Sequence, residues 1–502
     1  MGIIKRQSIK SSIVNYLGAI VGAMAVFFVY PLDEEIYGFA QFLYSTAYLL
    51  IPLATLGGLS LVVRYYPAFN TKNSTNYNGF LSLVLLILSG AYAGFVLLWI
   101  FFGNQLLLLL NKLLISLGIK SLDISVIQDN QIYILLLLGV LILLQFLLLH
   151  SANRLRIVVP NIIEKLGFKL FLPLLVLAYV FADVSRSQFA YALIGFFGAA
   201  SLLMLIYLRL IGGLHFGKVS RPSSDFSYKE MGKYSLFGSL NHLSSGLATR
   251  VDSIMIAMFL GFAKNGAYNM ALVIASVVEI PTRSINQISG PIISKAWKEN
   301  DLTEIDTIYK KASTNLFLFG SFVFLGIWYS LDDLVRLSSN PDSFIHVRWI
   351  FLALGIGKLT DMITSVNTQI IVYSDKYKYN LYFIAFLAVC NVILNFIMIP
   401  KYGIIGAAAA TSISLIAYNI VKLIFIYISY NLHPFTISSF KTVLLLLILT
   451  LLFYIFPADW NPYGSIIIKG LFVVLIFLPI AYFWNISEDL NEMLRSVTKK
   501  IF

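Results

Sequence analysis

YSLFGSLNHLSSGLATRVDSIMIAMFLG, residues 234–261, and AYNMALVIASVVEIPTRSINQ, residues 267–287, are two long apolar segments with ions in their middles. Arg250 and Asp252 interrupt the first, and Glu279 and Arg283 flank Pro281 in the second. Both segments are too long and too apolar to be helices of a water-soluble protein. A central Arg or Lys costs roughly 2.5–3.5 kcal/mol on the membrane-insertion scale, so these positions need a reason.

The rest of the chain agrees with lipid as the solvent. Of 502 residues, 59% are hydrophobic and 12% charged. A soluble domain carries about 25% charged residues, so this chain cannot cover a globular surface with polar groups. The single cysteine, Cys390, excludes a disulfide scaffold or a cysteine zinc site within one chain. The five histidines, His150, His215, His242, His346 and His433, are scattered without metal-ligand or nucleophile–base spacing. No GxxxxGK[ST] loop is present, so ATP is not the direct energy source and no cofactor is expected.

A bilayer core of roughly 30 Å takes about 20 residues of helix. That ruler predicts fourteen spans: 13–31, 39–66, 78–103, 131–151, 166–182, 188–211, 234–261, 266–294, 312–331, 344–373, 379–399, 403–430, 440–457 and 463–484. Lys and Arg collect on one side: Lys5, Arg6, Lys10, Lys72, Arg154, Arg156, Lys218, Arg221 and Lys229, and four Lys between 295 and 311. The positive-inside rule then places both termini in the cytoplasm. The net charge of +12 is read as topogenic and not as a nucleic-acid footprint. Residues 105–121 are apolar but broken by Lys112 and Lys120, which predicts an interfacial helix on the outer face. Leu302, Ile305, Ile308 and Tyr309 predict an amphipathic linking helix over 295–311.

An offset of 229 residues lays Ile51-Pro52 on Ile280-Pro281 and Gly38 on Ala267. A repeat of six spans returns the chain to its starting side, so two parallel lobes related by an axis along the membrane normal are expected. The fold class is therefore an all-α polytopic membrane protein of about fourteen transmembrane helices, with two six-helix lobes around a central cavity. The expected divisions are residues 1–215 and 216–432 as lobes, and 433–502 as two further helices with a cytoplasmic tail. Pro52, Pro173, Pro281 and Pro291 lie inside spans and predict kinks.

Counting from span ends puts Arg250, Asp252, Glu279, Arg283, Lys358 and Asp361 at mid-membrane. Arg64, Lys169 and Lys422 lie nearer the ends of their spans, where snorkelling suffices. Glu279 and Arg283 are four apart and Lys358 and Asp361 three apart, so each pair could neutralise itself. Arg250 and Asp252 point about 200° apart on a helix and cannot pair so easily. The other reading is substrate capture: Arg250, Arg283 and Lys358 attract an anionic group, which suits the planar guanidinium fork when that group is phosphate. Asp252, Glu279 and Asp361 would then tune those cations or couple to Na⁺ or H⁺.

The opening IKSSIVNYLGAIVGA (9–23), YGFAQFLYSTAYLLIPLATLGG (37–58), the 234–270 stretch and KYGIIGAAAATSIS (401–414) carry a resemblance. Together they resemble the polysaccharide transport branch of the multidrug/oligosaccharidyl-lipid/polysaccharide (MOP) exporters, the Wzx-type flippases of O-antigen and capsule units. The resemblance implies a bacterial inner-membrane transporter that moves an undecaprenyl-pyrophosphate-linked oligosaccharide to the outer leaflet by alternating access. It implies a monomer working beside the polysaccharide assembly machinery, with membrane lipids around it and the polyprenyl tail left in lipid. The first two spans lack the mid-membrane arginine that lipid II flippases of this superfamily carry, which argues against lipid II itself. A multidrug antiporter of the same superfamily is the alternative, weakened because spans one to six offer only Glu164 and Asp183 near their ends. A membrane polysaccharide polymerase or ligase is a further one, and no large outer loop is present to hold its catalytic groups.

Overall fold

The computed structural model describes residues 18–69, 79–116, 118, 120–154, 156, 158–214, 227–452 and 461–501, without the side chains of 67–69, 283, 284 and 496–501. The topogenic Lys5, Arg6, Lys10, Lys72, Lys218 and Arg221 lie outside the described residues. Among the described residues every regular element is a helix. Nine helices are long and apolar enough to cross a membrane, and two shorter apolar ones accompany them. The chain is a multi-pass membrane protein in two compact units, one up to Asn269 and one from Met270.

In the first unit α1 (Gly18–Leu32) leads into α2 (Glu34–Ala54). Asp33 caps α2 by accepting from the Ile36 amide at 2.9 Å. Glu34 and Glu35 lie in its first turn, where the helix dipole favours them. Downstream of Pro52 the chain breaks, with Leu56 and Gly57 at φ 49° and 73°, and resumes as α3 (Leu59–Phe69). The long α4 (Phe80–Ser116), α5 (Gln131–Asn153), α6 (Gly167–Phe181), α7 (Arg186–Leu210) and α8 (Tyr228–Leu260) follow. The helix α9 (Phe262–Ser276) runs past the end of this unit.

The break after Pro52 explains why α8 carries serines on the face it turns to α2. In lipid a carbonyl without a helical partner needs one from the protein. The Pro52 carbonyl accepts from the Gly57 amide at 3.1 Å and also from Ser239 Oγ at 2.8 Å, and the Leu56 carbonyl accepts from Ser235 Oγ at 2.7 Å. The helices touch backbone to backbone here: a Cβ on Gly57 would lie 1.9 Å from the Ser235 carbonyl oxygen. A second such contact is reciprocal. A Cβ on Gly38 would fall 1.8 Å from the Phe262 carbonyl oxygen, and one on Gly266 would fall 2.0 Å from that of Glu34. Each glycine thus meets the carbonyl four residues before the other. Asn265 Nδ2 fastens the pair by donating to the Gly38 carbonyl at 2.7 Å.

The second unit holds α10 (Ile280–Glu299), α11 (Leu302–Arg336), α12 (Val347–Thr364), α13 (Asn367–Tyr373) and α14 (Tyr379–Tyr430). It closes with α15 (Ile437–Leu452), α16 (Pro462–Phe483) and α17 (Glu488–Ile501). Pro281 opens α10 behind a 3₁₀ turn at Val277–Glu279, so both copies of the Ile-Pro pair sit beside a broken helix. The 52-residue α14 covers two expected spans and bends where Gly403 leaves helical geometry (φ 61°, ψ −141°) just after Pro400. Inside this unit Lys469 Nζ meets Asp333 Oδ2 at 2.6 Å, with side-chain exposures of 5% and 2%, and Ser465 also donates to that carboxylate. Lys311 holds Asp489 at 2.7 Å, tying α17 to α11.

Two expectations are corrected. Residues 105–116 are no separate interfacial helix but the continuation of α4, because no proline or positive-φ glycine interrupts the helix before Ser116. The linking helix over 295–311 does not form either. Asn300 stops α10 in the left-handed conformation (φ 55°), Asp301 caps α11 through the Glu304 amide, and Ile305 and Tyr309 are buried in α11. The backbone contact at Gly38 predicts that Gly38→Val abolishes the monodisperse peak of the detergent-solubilised protein in size-exclusion chromatography. Gly90→Ala, in open space on α4, leaves the peak in place.

Candidate functional site

Among the described residues, each unit holds a polar centre that includes expected site residues. In the first, Arg250 projects from the unbroken α8 over two aromatic faces, its guanidinium carbon 4.0 Å from the Tyr48 ring centre and 4.8 Å from that of Tyr44. Tyr44 is itself stacked on Phe197 at 5.5 Å and Phe168 at 5.4 Å, which fixes the platform. Glu164 lies within electrostatic reach of Arg250. It sits on a π-helical turn, Ile162–Leu166, and accepts from Gln145 Nε2 at 3.0 Å. Among the described residues Arg250 forms no ion pair within 4 Å. The guanidinium is therefore half-buried on aromatic rings, a placement worth about 0.5–2 kcal/mol, with Tyr44 also its hydrogen-bond partner.

Asp252, two residues on, is buried at 5% exposure and accepts from Tyr268 Oη at 2.8 Å. It meets different partners from Arg250, as the roughly 200° between them requires.

In the second unit the charges pair between helices. Lys358 Nζ on α12 donates to Glu279 Oε2 at 2.8 Å, where Glu279 ends the 3₁₀ turn ahead of α10. The intrahelical pairing of Lys358 with Asp361 is not made. The Asp361 carboxylate accepts instead from Asn419 Nδ2 at 3.2 Å. Arg283 is on α10, and its side chain lies outside the described residues. The structure thus brings Glu279, Lys358 and Asp361 into one neighbourhood. Arg250 and Asp252 belong to the other unit.

Sequence reasoning missed Lys422 here. It is 0% exposed and donates to Asn367 Oδ1 at 2.6 Å, Thr368 Oγ1 at 2.6 Å and Tyr418 Oη at 3.1 Å. Asn419 Oδ1 accepts from Thr364 Oγ1 and Asn367 Nδ2, each at 3.0 Å, and so links this ammonium to Asp361 through amides. The snorkelling assigned to Lys422 is corrected: depth along a helix does not fix which way the residue faces, and this one turns inward. Glu164 was passed over for the same reason, as a residue near a span end. Its signal was a carboxylate in an otherwise apolar stretch. Among the described residues no cluster of His, Cys, Asp and Glu has the makings of a metal site.

Broken helices with ions at or near the breaks, in a chain with this many long apolar helices, define a polytopic all-helical membrane fold. An inward-closed structure of the lipid II flippase MurJ superposes with a TM-score of 0.70 at 18% identity, covering 95% of this chain and 100% of that one. An outward-facing multidrug resistance MATE transporter of the MOP superfamily gives 0.52 at 16% identity, over 86% of this chain and 95% of that one. In sequence, a probable low-salt glycan biosynthesis flippase of Haloferax volcanii is 23% identical over 246 residues, 48% of this chain and 49% of that protein. An uncharacterized membrane protein of Methanocaldococcus jannaschii is 25% identical over 248 residues, 47% of this chain and 56% of that protein. The chain spans about half the length of these curated relatives. No family model matches it.

The interhelical pairing predicts that Glu279→Ala and Lys358→Ala each lower the thermal midpoint, because each strands a half-buried charge. The exchange Glu279→Lys with Lys358→Glu recovers most of the loss in a thermal-shift measurement. Pairing within one helix would give no such recovery.

Proposed function

We propose that this chain is a flippase that carries an undecaprenyl-pyrophosphate-linked oligosaccharide unit of the O-antigen or capsule type across the bacterial inner membrane by alternating access. Both termini are cytoplasmic in this reading. The chain acts as a monomer beside the polysaccharide assembly machinery, and the lobes are residues 1–215 and 216–432 with 433–502 appended. Support comes from the fold shared with a lipid II flippase and from partial similarity to a glycan biosynthesis flippase.

The observation that carries the reading is Arg250, a guanidinium seated on Tyr44 and Tyr48 without a carboxylate in ion-pair contact. A pyrophosphate can take its forked donors bidentately, a stronger bond than a ring face offers. Arg283 and Lys358 are assigned to attracting pyrophosphate as well, while Asp252, Glu279 and Asp361 tune the orientation of the cations or couple to Na⁺ or H⁺. The polyprenyl tail stays in lipid throughout.

A cation-coupled multidrug antiporter is the second reading, favoured by the MATE likeness. The test is glycan export in cells whose only flippase is this chain. Arg250→Ala lowers surface glycan at least tenfold at equal membrane level, Arg250→Lys retains part of it, and neither alters drug resistance. Full export by Arg250→Ala overturns the assignment, and cation-dependent drug resistance conferred by the chain replaces it with the antiporter.

A further inference from the structure

A lysine with no exposed surface at all is among the most costly groups a membrane helix can hold, and Lys422 is such a residue. Its surroundings are unusual in kind. The three donors of the ammonium meet three neutral oxygens, an amide of Asn367 and the hydroxyls of Thr368 and Tyr418, at 2.6, 2.6 and 3.1 Å. Among the described residues no carboxylate is within 4 Å of it. Neutral amide and hydroxyl oxygens converging on one point are the ligands that a hard monovalent cation takes. The backbone adds to this: α12 ends at Thr364, Ser365 turns to φ 49°, and α13 restarts at Asn367. Interrupted helices at membrane depth are tolerated where they hold an ion or line a polar site.

The charge balance points the same way. The neighbourhood contains Lys358, Lys422, Glu279 and Asp361, two of each sign, and its formal sum is zero. Lys358 is committed to Glu279 at 2.8 Å. The remaining negative charge, Asp361, is therefore balanced by Lys422 through the Asn419 and Asn367 amides. A cation entering beside Lys422 would leave an excess positive charge in a buried site, which is unfavourable.

We infer that this polar centre is a monovalent-cation site filled permanently by the chain's own Lys422 ammonium, so that Na⁺ does not bind there. The tether through α14 makes occupancy independent of the Na⁺ concentration on either side of the membrane. Removing the ammonium leaves the Asn367, Thr368 and Tyr418 oxygens and an unbalanced Asp361, which together take up Na⁺. The consequence for coupling rests on the transport reading above and narrows it: a Na⁺ gradient does no work at this centre, where Glu279 and Asp361 orient the cations. The site itself does not rest on that reading.

The test is therefore made without transport, on the full-length protein in lipid nanodiscs, by thermal unfolding in NaCl and in choline chloride at equal ionic strength. The wild type unfolds at the same midpoint in both salts. Lys422→Ala unfolds at least about 2 °C higher in NaCl than in choline, since a ligand bound only by the folded state raises the midpoint. Lys422→Ala combined with Asp361→Asn loses that response. A wild-type midpoint that rises with Na⁺, or a folded Lys422→Ala indifferent to Na⁺, overturns the inference. If Lys422→Ala cannot be purified, Lys422→Ser, which keeps space and a hydroxyl at the site, is read by the same two outcomes. The wild-type comparison decides against the site whichever variant folds.

Discussion

Polar groups in this chain have no water to fall back on, and the arrangement of its helices follows from that. A broken helix in a bilayer releases carbonyls, and a buried side-chain charge demands a counter-charge or a set of dipoles. The break after Pro52 is answered by Ser235 and Ser239. The Asn265 side chain does the same for Gly38, and is itself held by Ser253 Oγ at 2.8 Å. Because these donors belong to α8 and α9 and the acceptors to α2 and the break that follows it, satisfying the backbone also fixes which helices pack. The glycines then set how closely. Without Cβ atoms at Gly38 and Gly266, hydrogen bonds of 2.7–2.8 Å become reachable between helices that ordinary side chains would hold apart.

The same constraint separates structural from exchangeable charge. Asp333 and Lys469 are almost fully enclosed and joined at 2.6 Å, so removing either leaves a bare ion in a low-dielectric interior. Such a pair is a fastener for α16 and not a place where a ligand could compete. Glu279 and Lys358 are more open, at 36% and 12% exposure of their side chains, and bind one helix break to α12. Arg250 differs from both because its partners are the Tyr44 and Tyr48 side chains and not a carboxylate in ion-pair contact. A ring holds a guanidinium by its quadrupole and leaves the N–H groups in plane free to donate.

Much of the fold was legible in the sequence because it depends on composition and periodicity. The apolar runs located the helices, and the Ile-Pro pairs marked where two of them break. The misreadings concern local continuity and rotational phase. Nothing in the leucine-rich stretch up to Ser116 stops a helix, so charge at Lys112 was weaker evidence for a boundary than the absence of a breaker was against one. Asn300 and Asp301 formed the opposite case, a stop and a cap in adjacent positions that hydrophobic spacing alone overlooks. Within the site, spacing along one helix suggested Lys358 with Asp361 as partners. The observed partners, Glu279 and Asn419, are 79 and 58 positions away from them, and local patterns do not carry contacts of that range.

Lys422 shows what distinguishes depth from direction. A lysine stem of four methylenes reaches the interface from near a span end only if the residue is on the lipid or groove side of its helix. Tyr418 and Asn419 stand one turn earlier on α14, both buried, and they place polar atoms on the face that Lys422 shares. A stripe of Tyr, Asn and Lys at i, i+1 and i+4 on an otherwise apolar helix therefore argues for an inward polar network and against snorkelling. Lipid-facing stripes have no dipoles to offer an ammonium, whereas this one provides Tyr418 directly and Asn367 through Asn419. The lysine is accommodated inside the protein because its neighbours along the helix are polar too.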